Sequence, residues 1–179
     1  TFLSIAAGTP MSTFEEVLGA KTPIVRCMPN TPAAIGKGMM VTFANGHVSA
    51  KAKAFIDGLL AASGEVASID DEALMDSVTA VSGSGPAYIF HFIECLTAAA
   101  EQAGLPAETA KLLAMQTVYG AASLAAESRE NPETLRKQVT SPNGTTAAAL
   151  SVLMDEDRLK TLIGEAVEAA RARSVELGK

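Results

Sequence analysis

The chain has 179 residues, of which 48% are hydrophobic, enough for one sizeable core or two small ones. A net charge of −6, a 4% aromatic content without Trp and the lack of any basic patch exclude nucleic acid as a partner. The cysteines, Cys27 and Cys95, are too far apart, and the histidines, His47 and His91, too few and isolated, for a metal site, so the thiols are expected to be free and buried in a reducing compartment.

The chain opens on Thr1-Phe2-Leu3-Ser4-Ile5-Ala6-Ala7-Gly8, with no basic n-region and no initiator Met. It reads as a strand entered partway, without a signal peptide, and a cytoplasmic location is expected. Residues 2–6 form the strand, ending at Ala7-Gly8. Ser12-Thr13-Phe14-Glu15 is a capping box that opens a short helix stopped by Gly19. Residues 23–28 are a second strand, broken by Pro29-Asn30-Thr31-Pro32, and residues 39–43 a third, with a turn at Asn45-Gly46. Ser49 caps a helix that runs to Ala62 and ends at Ser63-Gly64, and residues 65–69 are the last strand. Strands separated by helices predict a parallel α/β sheet over residues 1–70.

From Asp71 the pattern is helical throughout, with runs at 71–80, 86–103, 107–127, 132–138, 145–154 and 157–177. Gly83-Ser84-Gly85-Pro86, Gly104-Leu105-Pro106 and Asn131-Pro132 separate them, with Gly past a helix end and Pro at a helix start. Residues 86–103 are long enough to span a bilayer, but His91, Glu94 and Glu101 interrupt them, so a buried helix rather than a membrane span is predicted. The helices at 86–103 and 107–127 are apolar nearly all round, through Phe90, Phe92, Ile93, Leu112, Leu113 and Met115 among others. A surface helix shows one apolar stripe. Helices of this kind in so small a domain need a second chain to cover them. The last helix is more one-sided.

Gly83-Ser84-Gly85 imitates part of a dinucleotide fingerprint, but the third glycine position holds Tyr88, Pro86 follows at once, and residues 76–81 read as helix rather than strand. A helix break and restart accounts for these glycines. Val139-Thr140-Ser141-Pro142-Asn143-Gly144-Thr145-Thr146 carries more chemistry. A hydroxyl-rich turn before an apolar helical run presents unpaired backbone N–H groups at the positive end of a helix dipole, which suits a small carboxylate or phosphate. Ser141, Thr145 and Thr146 add uncharged donors; ordinary N-capping is the structural alternative.

Four windows in register resemble one family, the pyrroline-5-carboxylate reductases: Ser4-Ile5-Ala6-Ala7-Gly8, Arg26-Cys27-Met28-Pro29-Asn30-Thr31-Pro32, Ala80-Val81-Ser82-Gly83-Ser84-Gly85-Pro86-Ala87-Tyr88, and Gln138-Val139-Thr140-Ser141-Pro142-Asn143-Gly144-Thr145-Thr146. The resemblance implies that residues 1–70 are the C-terminal part of a dinucleotide-binding (Rossmann) domain and residues 71–179 an all-helical dimerisation and substrate-binding domain. It implies reduction of 1-pyrroline-5-carboxylate to L-proline by NADPH or NADH, the last step of proline biosynthesis, in a homodimer or larger homo-oligomer. Hydride addition to a readily protonated imine needs positioning more than a metal or strong acid.

On the resemblance, Ser141 and the N–H groups of Gly144, Thr145 and Thr146 hold the substrate carboxylate, and the Thr146 hydroxyl faces the ring nitrogen as the catalytic donor. Ser82, Ser84 and Pro86 shape the pocket floor, with helix capping as the alternative for the two serines. Ala6, Ala7 and Gly8 lie against the cofactor, Met28, Pro29 and Asn30 flank the nicotinamide unless they are a plain strand exit, and Gln138 lies near the cofactor ribose. The loop of one subunit completes the site of its partner. Asn143 stands where the family often has glycine, and because Asn tolerates the left-handed region the turn is expected to persist.

The family's opening strand and glycine-rich turn, which hold the cofactor pyrophosphate, are absent from this sequence. A truncated chain is therefore expected, inactive when isolated, and the residues that choose between NADPH and NADH are among those absent from this sequence. A non-catalytic helical dimerisation module is the alternative. A related reductase acting on another imine or hydroxy acid is disfavoured, because the loop lacks the lysine that similar hydroxyacid dehydrogenases use.

Overall fold

The computed structural model describes residues 1–178, which form two compact units: residues 1–87 with the chain from Gly164 onward, and Tyr88–Ile163. The first unit is built on a four-stranded sheet in the order β1 (Phe2–Ser4), β2 (Ile24–Met28), β3 (Gly38–Ala44), β4 (Gly64–Ser68). The sheet is mixed rather than parallel. β1 pairs parallel with β2 (Phe2 opposite Ile24) and β3 with β4 (Gly38 opposite Gly64), but β2 and β3 are antiparallel, with Met28 opposite Val41. The reason is the connection between Met28 and Gly38. It holds one 3-10 turn, Thr31–Ile35, closed by left-handed Gly36. A parallel crossover needs about a dozen residues and usually a helix, so the chain turns back instead.

Helix α1 (Met11–Leu18) joins β1 to β2, and α2 (Ala50–Leu60) joins β3 to β4. Ser49 caps α2 through Ala52 N–H, 3.2 Å away, as its sequence predicts. The predicted capping box at Ser12 does not form. Helix α1 begins two residues earlier, with Pro10 as N-cap and no local side-chain cap. Its Met11 N–H instead donates to Glu72 Oε1 at 2.6 Å, sixty-one positions away in the chain. The core of the sheet is Ile24, Val25, Met40, Val41 and Thr42, all nearly or fully shielded from solvent.

Arg26 lies among these residues on β2 and is only 8% exposed. It pairs with the same Glu72 carboxylate oxygen. After β4 the chain makes a 3-10 turn (Glu72–Leu74), then α3 (Met75–Val78), then a π-helical turn at Thr79–Gly83. This sequence replaces the single helix predicted at 71–80. Asp76 accepts a hydrogen bond from Ser174 Oγ at 2.6 Å, tying the end of α8 (Arg158–Leu177) to this segment.

The second unit contains most of α4 (Gly85–Gln102), then α5 (Ala107–Ser128), α6 (Pro132–Gln138), α7 (Thr145–Met154) and the start of α8. These bounds match the predicted runs closely, and no strand follows β4 among the described residues. Only Ala110 and Ala114 of α5 are buried, and no residue of α4 is. Phe90 remains 59% and Leu112 67% exposed. The apolar faces singled out by the sequence thus stand uncovered in one chain. Cys95 is exposed as well, against the expectation that both thiols are buried, because it lies on α4, none of whose residues is buried.

The Arg26–Glu72 pair should dominate the stability of the sheet unit. Removing one partner of a buried ion pair leaves an uncompensated charge, at a cost of about 3–5 kcal/mol for full burial. Because the Glu72 side chain is 29% exposed, the lower end applies. We expect Glu72→Ala to lower the unfolding free energy of the sheet unit by about 3 kcal/mol and Glu72→Gln by less, measured by urea titration followed by circular dichroism.

Candidate functional site

β1 and β2 are parallel, so their carboxyl ends share one edge, where open α/β sheets bind ligands. Ala6, Ala7 and Gly8 follow β1 at this edge. Gly8 takes φ of +70°, a conformation that costs most side chains but not glycine. The Ala6 N–H donates to Ser4 Oγ at 3.2 Å, tightening the turn. Met28, Pro29 and Asn30, at the exit of β2, are half-buried. A small recess joins Ala6, Ala7, Gly8, Met28 and Thr79. A larger cleft of about 280 Å³ adjoins it through Gly8 and Arg26, with Glu72 and Asp76 on its wall.

Ser82, Ser84 and Pro86 belong to the same unit and are half-buried. Ser82 lies in the π-helical turn, whose mark is the wide bond from Ser84 N–H to Thr79 C=O at 2.8 Å. Pro86 is the second residue of α4. The expected decoy at Gly83-Ser84-Gly85 is confirmed as a helical break and restart, with no strand before it. The turn lies close to the β2 exit. A Cβ on Gly83 would come within 2.5 Å of Met28 Cε. Asn30 Nδ2 donates to Ser82 C=O at 3.1 Å, while Asn30 Oδ1 accepts from Met39 N–H at 2.9 Å.

Gln138, Ser141, Gly144, Thr145 and Thr146 lie in the second unit. Gln138 ends α6 and is exposed. Thr140 turns the chain back, donating its hydroxyl to Arg136 C=O at 2.6 Å and its N–H to Lys137 C=O at 3.1 Å. Asn143 adopts φ of +59°, so the left-handed turn expected of it is present. Gly144 is the N-cap of α7, and no side chain caps this helix. The hydroxyls of Thr145 and Thr146 are thus not used for capping and form no hydrogen bond among the described residues. The Gly144 N–H donates to Ser141 C=O at 3.1 Å, and a Cβ at Gly144 would fall on the Ser141 hydroxyl. Glycine is required here by close approach, not by φ. Thr146 is half-buried, whereas Ser141 and Thr145 are exposed.

The first N–H groups of α7 are therefore available at the positive end of its dipole, with three hydroxyls around them. This arrangement can hold a carboxylate while leaving one hydroxyl to meet a second atom. Among the described residues no group of His, Cys, Asp and Glu could hold a metal ion. No helix among them is long and apolar enough to cross a membrane.

Sequence reasoning missed two parts of the sheet-side geometry. Glu72 is called into place by Arg26, and the signal was a lone charge between Val25 and Cys27 in an apolar strand. The Asn30 clasp joins positions far apart in sequence and has no local signature.

Residues 72–177 match the family described as pyrroline-5-carboxylate reductase dimerisation. The pyrroline-5-carboxylate reductase of Pseudomonas aeruginosa is 47% identical over 177 residues, covering 99% of this chain and 64% of that protein. That of a Synechocystis species is 44% identical, covering 99% and 65%. Among solved structures, a pyrroline-5-carboxylate reductase from Coxiella burnetii superposes with a TM-score of 0.95 at 43% identity, over 99% of this chain and 65% of that one. The pyrroline carboxylate reductase of Plasmodium falciparum, solved with NADP bound, gives 0.87 at 34% identity, over 99% and 67%. The chain thus spans about 64–65% of the length of the first curated relatives it matches. These likenesses agree with a partial dinucleotide-binding fold followed by a helical region.

Burial pushes the Cys27 thiol, beside the recess, up to about 11. A raised pKa keeps the sulfur protonated at pH 8, and burial keeps reagents out. In a Cys95→Ser variant, dithionitrobenzoate at pH 8 should therefore release no thiolate until urea unfolds the sheet unit. Rapid stoichiometric release from the native protein would contradict this placement.

Proposed function

The chain belongs to the pyrroline-5-carboxylate reductase family, and we propose that a cytoplasmic protein carrying it reduces 1-pyrroline-5-carboxylate to L-proline with NADPH or NADH, closing proline biosynthesis. The observation that supports this most strongly is the start of α7. It is an uncapped helix N-terminus with the Ser141, Thr145 and Thr146 hydroxyls around it and no charged base. That suits a substrate with one carboxylate and one weakly basic ring nitrogen.

In this proposal the carboxylate accepts hydrogen bonds from the Ser141 hydroxyl and from the N–H groups of Thr145 and Thr146. Gly144 contributes by having no side chain, which leaves room for the Ser141 hydroxyl. The Thr146 hydroxyl faces the ring nitrogen and orients the imine. Ser82, Ser84 and Pro86 form the pocket floor. The small turn Ala6–Ala7–Gly8 and the exit Met28–Pro29 would flank the nicotinamide with methyl groups, a thioether and a pyrrolidine ring, while the amide of Asn30 is turned to Ser82 and Met39. Gln138 reaches the ribose. The bound nicotinamide supplies hydride to the imine carbon. The residues of this chain bind, orient and shield the imine from water, and Thr146 hydrogen-bonds the nitrogen as it becomes an amine.

The proposed domains are the C-terminal part of a dinucleotide-binding domain at 1–70 and a dimerisation and substrate domain at 71–179. The proposed assembly is a homodimer in which the Ser141–Thr146 loop of one subunit meets the sheet edge of the other. The uncovered apolar faces of α4 and α5 support it, since a soluble chain gains by burying them against a second copy.

Two hydroxyl deletions test the site. Ser141→Ala loses a charge-assisted hydrogen bond worth about 1.5–3 kcal/mol, so the KM for pyrroline carboxylate should rise about tenfold or more. Thr146→Val should lower kcat more than it raises KM, because the bond to nitrogen strengthens as hydride arrives. Steady-state kinetics on the enzyme that contains this chain would read both, and an unchanged KM in the first variant would remove Ser141 from the site.

Assembly is tested at Phe90, which is more than half exposed in the single chain. If the chain worked alone, Phe90→Asp would be nearly silent. In the proposed dimer it buries an unpaired carboxylate at a cost of several kcal/mol. Light scattering should show the variant dissociated or unfolded at micromolar concentration while the parent remains a dimer.

A further inference from the structure

The π-helical turn at Thr79–Gly83 has a specific cause. An α-helical continuation would satisfy the Ser82 carbonyl through the N–H four residues on, but that residue is Pro86, which has none. The N–H of Ala87 is already committed to Ser84 C=O at 3.0 Å. The turn widens instead, with Ser84 N–H reaching Thr79 C=O, and the carbonyl of half-buried Ser82 lacks the donor that an α-helical residue 86 would supply. Asn30 supplies the missing donor through Nδ2, 3.1 Å from Ser82 O. Its other amide atom is also engaged, since Oδ1 accepts from Met39 N–H. Gly83 completes the contact, because a side chain there would collide with Met28.

We infer that Asn30 is a positioning residue. Its amide replaces the helix bond that Pro86 forbids, and so fixes the Ser82–Gly83–Ser84 turn against the exit of β2. Asn30 acts on the reaction through that turn, since its Nδ2 faces Ser82 C=O and, at 3.5 Å, the Ser82 hydroxyl. This rests on the reductase reading for its kinetic consequence but not for its structural one. Proline at 86 and asparagine at 30 are coupled: each makes sense only with the other. Misplacing the turn shifts the floor of the proposed imine pocket while leaving the nicotinamide side in place.

The test is a double-mutant cycle on the enzyme containing this chain. Asn30→Ala should lower kcat for pyrroline carboxylate at least tenfold with the KM for NADPH changed less than twofold. Pro86→Ala restores an N–H to position 86, so in that background the further loss on Asn30→Ala should be threefold or less. Hydrogen exchange gives a readout independent of activity. The Ser84 amide should exchange at least tenfold faster in Asn30→Ala, and less so in the double variant. Should Asn30→Ala be insoluble, Asn30→Asp keeps the acceptor for Met39 N–H and replaces the donor with a charged carboxylate oxygen, so the same losses are expected. Equal losses in both backgrounds, or a loss expressed wholly in the KM for NADPH, would overturn the inference. If the parent enzyme does not reduce pyrroline carboxylate, the functional reading fails, and the exchange data still decide whether Asn30 holds the turn.

Discussion

A charged guanidinium in the middle of an apolar strand organises the sheet unit. Arg26 sits between Val25 and Cys27, all three buried. A buried cation must be paired, or the fold pays its desolvation without return. The carboxylate that pairs with it is Glu72, and that requirement fixes where the chain goes after β4. The same carboxylate oxygen accepts the Met11 N–H, so it also anchors the start of α1 just after the Ala6–Gly8 turn. Met75, three residues on, is buried, and Asp76, the next residue, holds Ser174 near the end of α8. One ion pair thus sets the turn that follows β1, the exit of β2 and the segment leading into the π-helical turn.

This dependence explains what could be read from sequence and what could not. The helices from 85 to 177 were legible to within a residue or two, because their limits are set locally, by Pro132 at a first turn and Gly104 after an end, as α2 is by Ser49 at its cap. The Asn143 turn was legible for the same reason, since one side chain's tolerance of positive φ decides it. The antiparallel β2–β3 pair was not, because two apolar runs look alike in either direction and only the short connection between them distinguishes the cases. The capping box at Ser12 had the right letters, but Glu72 satisfied the helix start first. A tertiary donor or acceptor overrides a local cap without any trace in the local pattern. In the site, the α7 loop was legible as a chemical feature, whereas the Asn30–Ser82 clasp depends on two segments meeting in space.

The two units solve burial differently. The sheet unit closes its own core around Ile24, Met40 and Thr42. The helical unit does not: α4 buries none of its residues, and α5 only two alanines. Small residues at the buried positions let helices approach closely, while Phe, Leu, Ile and Met face outward. An amphipathic helix would bury the large side chains and expose the small ones, and the inversion here follows if the principal core of this unit is formed between two chains rather than within one. The family match over residues 72–177 carries the word dimerisation for this same region.

In the proposed reductase, joining substrate binding to such a unit would have a chemical consequence. The loop before α7 works with neutral donors and a helix dipole, whose strength depends on geometry and on exclusion of water rather than on a titrating group. A dipole and three hydroxyls do not change charge between pH 6 and 9, and no histidine lies in the loop. An imine is most electrophilic when protonated, so a site that adds no positive charge beside the ring nitrogen does not oppose that protonation. A lysine or arginine placed against the ring would bind the carboxylate more tightly and at the same time disfavour the reactive cation. The absence of a strong base or cation from residues 139–146 is therefore part of how the proposed site works, since orientation by hydroxyls leaves the charge of the reacting atom to the substrate itself.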